Sequence, residues 1–311
     1  MTARTAKDLL NRSHRLGKNP KNTNYAGGNT SAKGRVKDPV TLGNVDVMWV
    51  KGSGGDLGTL TETGLSTLRM DRFLSLANVY PGIHTEDEMV GLLEYCLHGK
   101  GGAAPSIDTA MHGLVDLPHV DHLHPDSGIA IATSVDGEKL TKKIFGDTVV
   151  WVPWRRPGFQ LGLDIADIQK QNPQAIGCIL GGHGITAWGK TSAECEANSL
   201  KIIASCEKYI KQKGKNDPLG KKIAAHKPLS AAARRARAAA LAPAIRAIAS
   251  MDRVQVGHFS DGPVVLDFLE HEKHKSLVPR GTSCPDHFLR TKVKPLLLDL
   301  PPSAPIEQAV E

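Results

Sequence analysis

Three histidines fall within six residues in His119-Val120-Asp121-His122-Leu123-His124, and their spacing is the first chemistry the chain offers. Side chains alternate along a strand with period two, so on a strand His122 and His124 leave one face together while His119, Asp121 and Leu123 leave the other. Two neutral imidazoles facing one way begin a zinc site, with nitrogens ~2.0–2.1 Å from the ion. The pair needs a third ligand, and 13 histidines in 311 residues also bring two this close by chance. His183, in Gly181-Gly182-His183-Gly184, is the candidate. Its flanking glycines admit positive φ and a close approach, and the apolar run Ala175 to Leu180 holds the turn from below. A lone histidine in a glycine turn is more often a plain turn residue. Taken together, His122, His124 and His183 leave a fourth coordination position open, as catalytic zinc requires.

A carboxylate stands shortly before this stretch, at Asp108 in Pro105-Ser106-Ile107-Asp108-Thr109-Ala110-Met111-His112. Near a metal it can take a proton from carbon or return one, once burial and the cation tune its pKa. The same position suits a helix N-terminal carboxylate stabilised by the dipole. Two glycine turns, Ala26-Gly27-Gly28-Asn29-Thr30-Ser31 and Lys51-Gly52-Ser53-Gly54-Gly55, offer backbone N–H groups and hydroxyls that could nest a phosphate. Neither has the P-loop spacing or the dinucleotide fingerprint, and each alone reads as an ordinary tight turn.

Elements must position these groups. Thr5 to Leu16 has the pattern of an amphipathic helix ended by Gly17, and Val45 to Val50 alternates as a strand. Glu86 to Leu97, with Thr85 as N-cap, has helical spacing, and Asp126 or Ser127 caps a helix to about Thr133. His119 onward, Thr148 to Val152, Ala175 to Leu180 and Ile185 to Trp188 read as strands. Thr191-Ser192-Ala193-Glu194 is a capping box opening a helix to about Lys211. Beyond it, Lys211 to Lys227 is a basic linker or loop. Ser230 to Ser250 is an alanine- and arginine-rich helix that Pro243 should kink or interrupt. Val254 to Phe268 is expected as two short strands, and Leu300 to Pro305 as a proline-rich, poorly ordered tail. Mixed, often consecutive strands and helices predict a layered α/β fold.

The hydrophobic fraction of 40% and charged fraction of 23% are those of an ordinary globular chain. No apolar run approaches a membrane span and the N-terminus lacks a signal peptide, which predicts a cytoplasmic protein. The five cysteines are odd in number and form no Cys-x-x-Cys pair, arguing against disulfides and thiolate zinc. The net charge of +7 comes largely from Lys211 to Arg246. Without interleaved aromatics or a known motif, Arg234, Arg235, Arg237 and Arg246 predict a solvated or subunit-facing helix and no nucleic-acid binding. Trp151-Val152-Pro153-Trp154-Arg155-Arg156 reads as a strand end packing its indoles, or as arginines near the mouth of a site. Cys284 near His287 says nothing about geometry by spacing alone.

Gly28-Asn29, Gly52-Ser53-Gly54, Ser106 with Asp108, His122-Leu123-His124-Pro125 and His183-Gly184 occur in one order. This series resembles the class II aldolase/adducin family over roughly residues 24–210. The stretches His119 to His122 and Gly281 to Phe288 are most similar to the aldolase part of bifunctional rhamnulose-1-phosphate aldolase/short-chain dehydrogenases, here without a dehydrogenase fingerprint. The resemblance implies a three-layer α/β/α domain with a central, largely antiparallel sheet over residues 1–211 and a C-terminal extension over 212–311. It implies Zn2+ on His122, His124 and His183, Asp108 in the place of the family's usual glutamate, and Gly28, Asn29, Gly52, Ser53, Gly54 and Ser106 around a substrate phosphate. The implied reaction is reversible retro-aldol cleavage of a ketose 1-phosphate, with L-rhamnulose 1-phosphate giving dihydroxyacetone phosphate and L-lactaldehyde. A pentulose-phosphate 4-epimerase, a sugar-phosphate dehydratase and a non-catalytic adducin-like module are the alternatives. A small-molecule partner and a homo-oligomer, a tetramer above all, are expected. Two departures stand out: aspartate is one methylene shorter than glutamate, and Gly182 replaces an asparagine that often precedes the third histidine.

Overall fold

Seven short segments pair edge to edge into one sheet: β1 Asn29–Lys37, β2 Asn44–Lys51, β3 Leu65–Arg69, β4 His119–Leu123, β5 Val149–Val152, β6 Gly177–Leu180 and β7 Gly184–Gly189. Taken from a computed structural model, the fold is described for residues 4–24, 26–99, 102–224, 228–285, 293–301 and 304–305. The strand order is β3-β2-β1-β4-β7-β6-β5, antiparallel throughout except for the parallel pair β5 and β6. The helices are α1 Arg4–Gly17, α2 Met70–Ser75, α3 Glu86–Leu93, α4 Thr109–Leu114, α5 Asp126–Ala132, α6 Gly137–Phe145, α7 Phe159–Gln171 and α8 Ser192–Lys213, then α9 Ala231–Ala249, α10 Pro263–Leu269 and α11 His274–Leu277.

Alternation along the strands decides which helices lie on which face. Ala32, Val47, Trp49, Leu123, Ile185 and Ala187 point into a core with Leu9 and Leu16 of α1, Ile131 of α5 and Ile202 of α8. On the other face, Val50 and Leu68 meet Phe73, Met89 and Phe159, while Val120 and Trp188 meet Met111, Leu161 and Ile165. The result is the three-layer α/β/α arrangement expected. At the start of α8, the Thr191 hydroxyl accepts from the Glu194 N–H at 3.1 Å, and the Glu194 carboxylate accepts from the Lys190 N–H at 2.8 Å.

The chain divides into two units, Met1–Lys213 with Ser283–Asp286, and Gly214–Thr282 with His287–Glu311. In the second unit α9 opens at Ser230, whose hydroxyl accepts from Ala233 N–H at 3.2 Å, and it runs uninterrupted through Pro243. Alanine and arginine on both sides are strong helix formers and carry it past the proline. The short strands expected over Val254 to Phe268 are absent there: residues 254–262 form no regular element and Pro263–Leu269 is α10. Proline at the first helical position has its φ already set and needs no N–H partner, so the run Val264 to Phe268 takes the helical alternative. Within this unit Arg234 pairs with Asp261 at 3.0 Å and Arg237 donates to the Ala304 carbonyl at 2.8 Å. Asp286, His287 and Phe288 of the Gly281 to Phe288 motif, and Pro302 and Ser303 of the proline-rich end, lie outside the described residues. Among the described residues no helix is long and apolar enough to cross a membrane.

Candidate functional site

Strand β4 sends His122 to one face and Asp121 to the other, as its period dictates. Residue 122 stands directly opposite Asn29 of β1 and Thr186 of β7. The third imidazole arrives from the tight turn between β6 and β7. Gly182 has φ +66°, and a Cβ there would lie 2.6 Å from Cδ1 of the Trp154 indole. A Cβ on Gly184 would lie 2.6 Å from the Leu123 carbonyl oxygen and 2.7 Å from the His124 ring. The glycines are therefore what lets His183 reach the strand.

His122 Nε2 lies 2.8 Å from His124 Nε2 and 3.2 Å from His183 Nε2, and all three rings are buried. On its far side His122 Nδ1 donates to the Ile185 carbonyl at 2.9 Å, with Thr186 Oγ1 at 3.3 Å. That bond leaves Nε2 unprotonated with a single lone pair facing two other ring nitrogens. A cation accepts all three lone pairs, whereas hydrogen bonding alone does not serve this convergence. Nitrogens ~2.05 Å from a tetrahedral ion stand ~3.3 Å apart. The observed 3.2 Å agrees with that figure and 2.8 Å is somewhat tighter. Burial, then the neighbouring His122 and His124, push the His183 pKa well below its ordinary value, and its buried Nδ1 has no hydrogen-bond partner among the described residues. A ring kept neutral is a ring able to ligate. The donor set fits a metal, and the N–H to carbonyl bond behind His122 is the support that ligating imidazoles ordinarily have.

The opposite face of β4 is pinned by a residue that local sequence reading passed over. Arg12 of α1, fully buried, donates to Asp121 at 2.9 Å, His119 Nδ1 at 3.0 Å, Ser192 Oγ at 2.9 Å and the Ser31 carbonyl at 2.7 Å. Ser199 of α8 donates to the second Asp121 oxygen at 3.0 Å. Burial and the Arg12 charge push the His119 pKa down to about 4.

Asp108, Asn29 and Ser106 converge beside the histidines. Asn29 Nδ2 donates to Asp108 Oδ2 at 3.3 Å and to Ser106 Oγ at 3.4 Å. Asp108 Oδ1 is buried and has no hydrogen-bond partner among the described residues. Because Asn29 and His122 are opposed in register, their side chains leave the sheet on the same side, with Cβ atoms of such pairs ~4.5–5.5 Å apart. His112 also joins this group, at 3.2 Å from Asn29 Oδ1 and 2.9 Å from Ser31 Oγ. Its spacing of four from Asp108 on a helix was the available signal. Lys33, two residues past Ser31, donates to the Val115 carbonyl at the end of α4. Burial pushes its pKa down to about 8.

The glycine turns flank this arrangement. Gly28 has φ +72°, and a Cβ there would be 2.7 Å from the His122 carbonyl oxygen. Gly52 N–H is taken by the Gly64 carbonyl and Ser53 N–H by the Ala104 carbonyl, which ties the second turn to the segment ahead of Ser106. Gly54 and Gly55 have positive φ and open space on the Cβ side. Trp151 is half-buried against the core, whereas Trp154 is 67% exposed over Gly182. Arg155 and Arg156 pair with Asp164 and Asp87 at 2.6 and 2.5 Å.

Residues 7–210 match the family model for the class II aldolase and adducin N-terminal domain, and residues 236–311 that for an aldolase class II second domain. The chain is 34% identical over 296 residues to an uncharacterized oxidoreductase, YuxG, of Bacillus subtilis (strain 168), covering 95% of this chain and 42% of that protein. It thus spans about two-fifths of this relative's length. It is 22% identical over 185 residues to the methylthioribulose-1-phosphate dehydratase of Citrobacter koseri, covering 53% of this chain and 88% of that one. Among solved structures, the N-terminal class II aldolase domain of a conserved protein from Thermoplasma acidophilum superposes with a TM-score of 0.60 at 26% identity, over 68% of this chain and 95% of that one.

Proposed function

Because the chain belongs to the class II aldolase and adducin family, we propose that it is a metal-dependent lyase that reversibly cleaves a ketose 1-phosphate. The substrate proposed is L-rhamnulose 1-phosphate, giving dihydroxyacetone phosphate and L-lactaldehyde. The observation that carries the reading is the convergence of three buried Nε2 atoms beside a carboxylate with one oxygen unpartnered among the described residues. His122, His124 and His183 would hold Zn2+. When bound, the ion supplies Lewis-acid polarisation of substrate oxygens.

Asp108 exchanges the proton on carbon. Asn29 holds its Oδ2, which leaves Oδ1 as the basic oxygen. Ser106, having accepted from Asn29, keeps its own O–H to donate to a phosphate oxygen. Gly28, Gly52, Ser53 and Gly54 shape the phosphate turns, and Asn29 bridges the phosphate and carboxylate sides. The reading includes a cytoplasmic homo-oligomer, with a tetramer favoured. A dehydratase on the same residues is the second reading, supported by the similarity to the methylthioribulose-1-phosphate dehydratase.

The test is metal analysis of native protein by mass spectrometry together with product analysis. Wild type should carry zinc. His122→Ala should lose it and Asp108→Ala should keep it, both without cleavage. Dihydroxyacetone phosphate with lactaldehyde supports the aldolase, and a dehydrated sugar phosphate supports the second reading. Protein with no bound metal and no metal-dependent turnover would sink both.

A further inference from the structure

Helix α4 carries Asp108 at its N-cap and His112 one turn on, so both face the same strand, β1. The imidazole of His112 is fully buried and held at both nitrogens, by Ser31 Oγ at 2.9 Å and Asn29 Oδ1 at 3.2 Å. The direction of these bonds follows from chemistry alone. Asp108 as a carboxylate only accepts, so the Asn29 group facing Oδ2 has to be the amide NH2. The Asn29 carbonyl oxygen then faces His112, and an oxygen there requires a proton on His112 Nε2. Nδ1 is left bare, and the Ser31 hydroxyl, 2.9 Å from it and 3.4 Å from the Val120 carbonyl oxygen, gives its one proton to the nearer acceptor. Burial above all, with the Lys33 and Arg12 charges beside it, outweighs the opposing pull of the Val120 carbonyl and holds the pKa of this imidazole well below its ordinary value, so it is neutral and has one N–H to give.

We propose that His112 is a positioning residue: by donating from Nε2 to Asn29 Oδ1 it fixes the rotation of the Asn29 amide, and so decides which Asp108 oxygen is held and which exchanges the proton. The inference rests on Asp108 as the proton-exchanging group. An amide turned by half a rotation would set its oxygen against Asp108 Oδ2 and strip Ser106 of its donor. His112 makes that rotation unfavourable without touching substrate. Ser31 completes the brace, since Arg12 grips its carbonyl while its hydroxyl meets His112. The device reaches from the buried ion pair behind β4 to the carboxylate in front of it.

The test needs no variant at first. In wild-type, zinc-loaded protein the two-bond 1H–15N spectrum should show His112 protonated at Nε2 and bare at Nδ1. The opposite tautomer, or an imidazolium at pH 7, overturns the proposal. Variants then compare reach. The amide of His112→Gln extends to the Nε2 position, whereas that of His112→Asn reaches only the Nδ1 side. With equal zinc content and equal melting temperature, His112→Asn should lose roughly 100-fold in kcat, the scale of a ~1 Å misplacement, and His112→Gln should recover most of it. KM should rise in His112→Asn as well, because Asn29 also holds Ser106 beside the phosphate turns, and His112→Gln should recover both parameters. The Asn29 side-chain amide signals, identified by their loss in Asn29→Ala, should be a single resolved pair in wild type and His112→Gln and broadened in His112→Asn. Equal losses in the two variants with unchanged Asn29 signals overturn the proposal. If wild type cleaves no sugar phosphate, the functional reading fails, and the tautomer and Asn29 signals still decide the role of His112.

Discussion

Replacing Arg12 by leucine should be among the most damaging single changes in the first unit. The guanidinium and the Asp121 carboxylate are both wholly inaccessible, and Arg12 serves four acceptors on β1, β4 and α8. Removing one member of a buried pair leaves an uncompensated charge and costs ~3–5 kcal/mol. For a folding unit of this size, where 1 kcal/mol shifts melting by ~2–4 °C, the loss corresponds to about 6–20 °C. Removing both charges, as Arg12→Leu with Asp121→Leu, should restore at least half of the loss despite the orphaned Ser31 carbonyl, because apolar replacements of buried pairs are often neutral. Urea unfolding followed by the fluorescence of the buried Trp49 and Trp188 reads both quantities. The single variant should also raise the His119 pKa above about 4, since Arg12 is one cause of its depression. A single variant within ~1 kcal/mol of wild type, the scale of an exposed pair, would refute the argument.

Three further outcomes follow from the same geometry. Gly28→Ala places a Cβ 2.7 Å from the His122 carbonyl at φ +72°; beyond the ~1–2 kcal/mol of left-handed strain it should displace β4 and weaken metal binding by the histidines, and unchanged melting and metal affinity would count against it. The unfolded chain keeps the Lys33 proton up to 10.5 while the folded one releases it near 8. Between these values the unfolded state binds more protons, so stability should rise with pH by up to ~1.4 kcal/mol per unit; Lys33→Met should flatten that rise, and parallel pH curves for the two proteins would contradict it. All five cysteines are buried, and burial pushes the thiols of Cys178 and Cys206 up to about 12. Native protein at pH 8 should therefore react with a thiol reagent only as fast as it opens, and rapid stoichiometric labelling would disprove this.

Period two along His119 to His124 was enough to separate the converging imidazoles from the residues behind them, and glycines around His183 were enough to mark its turn. Polar strands were harder to see. β1 begins Asn29-Thr30-Ser31, which reads as a turn because none of the three is apolar, yet all three are buried and satisfied by partners far along the chain. Arg12 escaped for the same reason. On an amphipathic helix an arginine belongs to the wet face, and its burial depends on Asp121, 109 residues away. In Val254 to Phe268 the branched residues suggested strands, and Pro263 decided for a helix. Local pattern carries periodicity and turns, while the burial of polar groups depends on partners it does not contain.

His122 and His183 are 61 residues apart, and the strand that carries the first meets the turn that carries the second only when β4 pairs with β7. Between them the chain must complete α5, α6, β5, α7 and β6. Closing such a span costs loop entropy before any pairing repays it, which places this contact late in folding. No nascent chain that ends before the turn after β6 contains more than two of the three histidines, and none that lacks β7 has the pairing that brings the third to β4. An ion captured by the triad therefore selects the finished sheet over its precursors, raising the native state's stability in proportion to the logarithm of ion concentration over its dissociation constant. Metal supply would then act on how long the folded chain survives and leave the rate at which it folds largely unchanged.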